Sequence, residues 1–219
     1  MGTDIQGIGY LATPESPSGQ GIIVLQEWWG LVPHIKELAD RFAVEGYVAL
    51  APDLYHGETT TSPDEAGRML MALNIEQTAQ DLQKAVNYLL QQDTVTSSRV
   101  GVVGFCMGGQ LALLAATVSQ NIGAVVDFYG IHPNVKPDFS KLNAPVLGLF
   151  GEADNSVNAD AVKNLEAQIH QAGKSIETHS YPHAGHAFFN DTRPEAYNAT
   201  AAADAWSRTL NFFHQNLAA

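Results

Sequence analysis

Strand-length apolar blocks alternate with segments of helical spacing along most of this chain, and that alternation limits the folds open to it. The blocks are GIIVLQ (21–26), YVALAP (47–52), RVGVVGF (99–105), GAVVDFY (123–129), PVLGLF (145–150) and SIETHSYP (175–182). Several carry no alternating polar positions, as strands buried on both faces do. Segments 33–45, with Pro33 near its start, 74–91, 107–118, 158–172 and 194–215 have helical spacing. This order predicts an α/β fold: a mostly parallel central sheet flanked by helices. The opening stretch DIQGIGYLATP adds an expected antiparallel edge strand. Neither internal repeats nor a Pro/Gly-rich linker interrupts the 219 residues, which predicts one domain over 1–219.

Composition removes several classes of function. The longest apolar helical run, LALLAATV at 111–118, is far below the roughly 20 residues that cross a bilayer. The first twenty residues lack the basic start and apolar block of a secretory signal, so a cytoplasmic protein away from membranes is expected. With 11 Lys and Arg against 23 Asp and Glu, the formal charge of −12 opposes binding to nucleic acid. One cysteine excludes an internal disulfide and a cysteine-built zinc site. No metal and no cofactor is expected. A monomer or weak homodimer is expected.

Open α/β sheets bind ligands beyond the carboxyl ends of their strands. Those ends carry Glu27, Asp53, Cys106, Asp154 and His186. Cys106, the sole cysteine, stands in G-x-C-x-G between a hydrophobic strand and the helical stretch MGGQLALLAAT. A free cysteine is ordinarily a packing residue. Here the strand–turn–helix context is that of a nucleophile elbow, with the helix N-terminus favouring thiolate. Acid and histidine then follow in chain order. Asp154 closes the strand PVLGLFG, with capping of the 158–172 helix as its alternative role and Glu152 as its nearest competitor. His186 follows the tight turn at Gly185 and is preferred to His183. Glu27, beside Trp28 and Trp29, reads as a partly desolvated carboxylate suited to proton transfer, or as a loop-fixing hydrogen bonder. The backbone N–H groups of Met107 and Trp28 form the expected oxyanion hole.

Taken together, QEWWG (26–30), PDLY (52–55), GFCMGG (104–109), GEAD (151–154) and AGHAFFND (184–191) resemble the dienelactone hydrolase family of α/β-hydrolases, in family order and over nearly the whole chain. The resemblance implies a Cys106-Asp154-His186 triad, with Glu27 holding the resting thiol and taking its proton when substrate enters. It also implies two arginines that clamp a substrate carboxylate. The position four residues after His186 is Asn190, however, and only Arg68 is available for the other. The stretch IHPNVKPDFSKLNA is too short and proline-rich for a lid domain. An open pocket walled by Trp28, Tyr55, Tyr129 and Phe188 is expected. The chain therefore reads as a cysteine hydrolase of lactones or small activated esters. Its rivals are a broad carboxylesterase or thioesterase without dienelactone activity, and a non-catalytic thiol-sensing or ligand-binding member.

Overall fold

A computed structural model describes residues 2–16 and 18–217. The apolar blocks become β3 (Gly21–Leu25), β4 (Val48–Pro52), β5 (Val100–Phe105), β6 (Ile122–Phe128), β7 (Val146–Gly151) and β8 (Ile176–Tyr181), each within about a residue of expectation. The opening stretch makes two strands where one was expected, β1 (Thr3–Ile5) and β2 (Gly9–Ala12). These form a hairpin whose second strand runs antiparallel to β4. The remaining pairings are parallel, and the eight-stranded order is β1-β2-β4-β3-β5-β6-β7-β8. Every residue of β3, β4, β5 and β6 is buried, which explains their lack of polar alternation.

Helices α1 (Pro33–Val44), α3 (Ile75–Leu90), α4 (Met107–Val118), α5 (Ala159–Gln171) and α6 (Ala199–Asn216) follow the expected segments. The last begins five residues late, because Asn198 caps it by accepting a hydrogen bond from Ala201 N–H. Helix α2 (Pro63–Ala72) was not among the segments with helical spacing. Ala66 is its one buried residue, so it has almost no apolar stripe to read. Two core layers cover the two faces of the sheet, one built largely on α1 and α6 and the other on α3 and α4. No lid domain interrupts the chain between β6 and β7, where the described backbone is irregular apart from the 3-10 turn Phe139–Lys141. No helix among the described residues is long and apolar enough to cross a membrane.

The chain leaves β3 for β4 on one side and returns with β5 on the other, so the strand order reverses between β3 and β5. At such a point the two following loops diverge and open a crevice. The β3 loop begins with Gln26 and Glu27, and the β5 turn is Cys106. The topology alone therefore brings Glu27 and Cys106 to one opening.

Candidate active site

Cys106 joins β5 to α4 with φ 54° and ψ −118°, a backbone conformation that L residues rarely adopt. Hydrogen bonds hold it there: its N–H donates to Phe128 O at 3.0 Å, and its carbonyl accepts from Gly109 N–H at 3.0 Å and Ile131 N–H at 3.1 Å. The flanking glycines are required by close approach. A Cβ on Gly104 would collide with the Gly108 backbone, and one on Gly108 would lie 2.5 Å from the carbonyl oxygens of Leu25 and Gln26. Cys106 is 7% exposed and lines a cavity in the crevice. Behind it, the first-turn N–H of Met107 and the N–H of Trp28 have no hydrogen-bond acceptor among the described residues.

His186 Nδ1 lies 2.7 Å from Asp154 Oδ2. The other carboxylate oxygen of Asp154 accepts from Ser156 N–H at 2.7 Å and Val157 N–H at 2.9 Å. Burial works against ionised Asp154, but His186 and these N–H groups outweigh it and hold its pKa below the usual value. His186 shows the reverse balance. Burial pulls it down, while the hydrogen bonds to Asp154 and the Cys106 sulfur push it up to about 10. With Nδ1–H committed to Asp154, Nε2 is left to face the thiol and a reacting group. Asp154 therefore has the orienting position, and Glu152 is exposed. His183 sits in an exposed turn at φ 61°.

Glu27 is 2% exposed, and burial raises its pKa. Opposing that are a 2.8 Å hydrogen bond donated by Asn190 Nδ2 to Glu27 Oε2 and the nearby charges of His186 and Arg193. Asn190 is itself fixed, since its Oδ1 accepts from the N–H and hydroxyl of Thr192 at 3.1 and 2.6 Å. Asn190 thus orients Glu27 and stands apart from Cys106.

A cavity of about 240 Å³ contains Glu27, Trp28, Cys106 and His186, and its walls include Trp29, Leu70, Ile131, Pro133 and Arg193. Of the expected walls, Trp28 is there. Tyr129 and Phe188 are fully buried behind the histidine, their rings 5.3 Å apart and Tyr129 5.1 Å from His186. The chain turns at Tyr129 with φ 42°, and the ring packs under the site instead of lining the cavity. Tyr55 points beneath α4, its hydroxyl 3.2 Å from Met107 Sδ. Arg68 lines a separate groove with Leu54, Met69 and Leu73, so the arginine expected near the thiol is elsewhere. Arg193 was missed; its one signal in the sequence is being the first Lys or Arg after His186. Leu70 was missed with the rest of α2, whose end is tied to the roof by His132 Nε2, 3.0 Å from Leu70 O. No cluster of three or more His, Cys, Asp or Glu with metal-holding geometry occurs among the described residues.

Comparison with known proteins places the chain in a family. The sequence pattern of the dienelactone hydrolase family matches residues 8–217. Protein usf of Aquifex pyrophilus is 36% identical over 216 residues, covering 95% of this chain and 93% of its own length. An Aquifex aeolicus protein provisionally named carboxymethylenebutenolidase is 32% identical, covering 94% of this chain and 91% of its own. Among solved structures, a provisionally named dienelactone hydrolase from Klebsiella pneumoniae superimposes with a TM-score of 0.86 at 31% identity, covering 98% of both chains. The sheet and its helices form an α/β-hydrolase fold, and the chain belongs to the dienelactone hydrolase family.

Proposed function

We propose that the protein is a cysteine hydrolase of lactones and small activated esters, working through an acyl-Cys106 intermediate as a cytoplasmic, single-domain enzyme. The observation that carries this reading is one small cavity holding the Cys106 thiol, Glu27 and a His186 already hydrogen-bonded to Asp154. His186 starts the cycle charged, held so chiefly by Asp154. On substrate entry Glu27, whose pKa burial raises toward a useful value, accepts the thiol proton. The thiolate adds to the carbonyl carbon, and the Met107 and Trp28 N–H groups hold the resulting oxyanion. Collapse breaks the carbon–oxygen bond, and the leaving oxygen takes the proton from His186. Neutral His186 then deprotonates a water that attacks the thioester, releasing acid and thiolate. Glu27 returns its proton to sulfur, which closes the cycle with one water consumed.

Two features favour a broad range of uncharged esters over a carboxylate-bearing lactone. Arg68 lies in another groove, and Asn190 occupies the other clamp position. The decisive experiment is intact-protein mass spectrometry during turnover of p-nitrophenyl acetate. An acetyl adduct on Cys106, absent in Cys106→Ala together with at least a 10³-fold loss of rate, is expected; wild-type turnover by Cys106→Ala overturns the proposal. Glu27→Gln is expected to lower kcat by at least tenfold with little change in KM, and unchanged kcat removes Glu27 from the cycle. Rapid alkylation of Cys106 without turnover of any ester, lactone or thioester favours the thiol-sensing reading instead.

A further inference from the structure

The catalytic cavity has a larger neighbour. A groove of about 500 Å³ lies on the other side of Trp29 and Arg193, and both residues line both spaces. The rest of its wall includes Val32, Pro33, Thr60, Thr61 and Pro63, from the start of α1 and the approach to α2. Arg193 is the partition's charged member, yet its charge is already engaged. Its Nε and one terminal nitrogen donate to Glu195 at 2.9 and 2.8 Å, and its guanidinium sits 5.6 Å over the Trp29 ring. What the partition presents is therefore an indole and a stacked guanidinium already paired with a carboxylate. Glu195 lines the groove, and Asp191 lies behind His34, 3.5 Å from it and 3.7 Å from Arg41.

The cavity of about 240 Å³ around Cys106 falls below the roughly 300–1,000 Å³ of sites that enclose drug-sized ligands. A substrate with more than a compact body must extend past its wall. Taking the Cys106 reading as its basis, we infer that this groove is a second subsite, receiving one long, uncharged, apolar arm of the ester whose carbonyl sits at Cys106. An arm ending in a carboxylate would have to compete with Glu195 for Arg193, and is disfavoured. The preferred substrates are thus neutral esters with one extended hydrocarbon or aryl branch.

The test uses two series of uncharged esters, one lengthening the acyl chain and one the alcohol, from two to eight carbons. A fully buried methylene raises kcat/KM by about fourfold, so at least one series should rise ten- to a hundredfold before it levels. Thr61→Trp fills the groove from an exposed loop position, and Pro63→Trp does so independently. Either is expected to flatten that series to within threefold while leaving the shortest ester within twofold of wild type. A terminal carboxylate on the long arm should cancel its gain. The inference is overturned by two flat wild-type series, or by filled-groove variants that lose short and long esters equally. Turnover of the shortest ester in Cys106→Ala checks the parent reading separately: its loss upholds that reading whatever the chain-length result, and its persistence overturns both.

Discussion

Three carboxylates lie buried around the elbow, and their surroundings give them different work. Glu27 opens on the cavity and is compensated by Asn190, His186 and Arg193. Asp127, on β6, is fully buried against Gly109 and Gly130, and neither of its oxygens makes a hydrogen bond of normal geometry. Burial pushes it up to about 7, with only the Gly130 N–H opposing. The native state therefore prefers the protonated acid. Below pH 3.8 both folded and unfolded chains carry the proton and Asp127 makes no difference. Between 3.8 and about 7 the unfolded chain ionises first, so stability falls as pH rises; above about 7 the cost is constant. Asp127→Asn removes this dependence. Its stability relative to wild type should improve by roughly 2–3 kcal/mol between pH 5 and pH 8 in urea titrations. A pH-independent difference overturns the assignment. Asp154 makes the converse case. In Asp154→Asn the imidazole of His186 loses its anionic partner, so its pKa should move down from about 10 toward 6.5, followed by NMR of the ring protons. An amide can also select the wrong tautomer, so kcat should fall by about 10² or more.

At the scale of elements, the turn from β5 into α4 is the most constrained piece of the molecule. Its left-handed Cys106, the packing of Gly108 on the β3 carbonyls and the first-turn N–H groups form one unit. Gly108→Ala places a methyl 2.5 Å from two carbonyl oxygens, so either α4 or the β3 loop must shift. The expected cost is about 1–3 kcal/mol in thermal melts. A disproportionate loss of kcat should accompany it, because the Met107 and Trp28 N–H groups move apart. Native stability with native kcat would show that the contact relaxes freely. This unit was also the most legible in the sequence, because G-x-C-x-G between an apolar strand and a helix carries its own geometry. The buried strands were readable for a related reason, since runs such as VGVVGF have no polar face to turn to water. Helix α2 was not, as it buries only Ala66. Pocket walls were harder still. Position at a strand end says which edge of the sheet a residue reaches, but not whether its side chain rises into the crevice or folds beneath it. Tyr129 and Phe188 fold beneath, whereas Arg193 arrives from a loop whose path no periodicity encodes.

For the whole molecule, the formal charge of −12 acts on any substrate before it reaches Cys106. The local groups do not reverse that field: Arg193 is paired with Glu195, and Arg68 opens on a different groove shared with Glu58 and Glu65. An anionic ester is therefore repelled on approach, and among the described residues the cations of the cavity wall, His186 and Arg193, already face Asp154 and Glu195. Raising ionic strength from about 10 mM to 300 mM shortens the Debye length from roughly 30 Å to below 10 Å and removes most of the long-range part. On this account kcat/KM for an aryl ester bearing a carboxylate should rise about two- to fivefold over that range. A choline ester should show the opposite trend, and a neutral ester of the same size should stay flat. Measuring all three on one preparation separates the field from general salt effects, which would move them together. A carboxylate ester that is the best substrate at low salt, and loses that advantage as salt is added, would require a cationic site facing Cys106 and would overturn the preference for uncharged substrates.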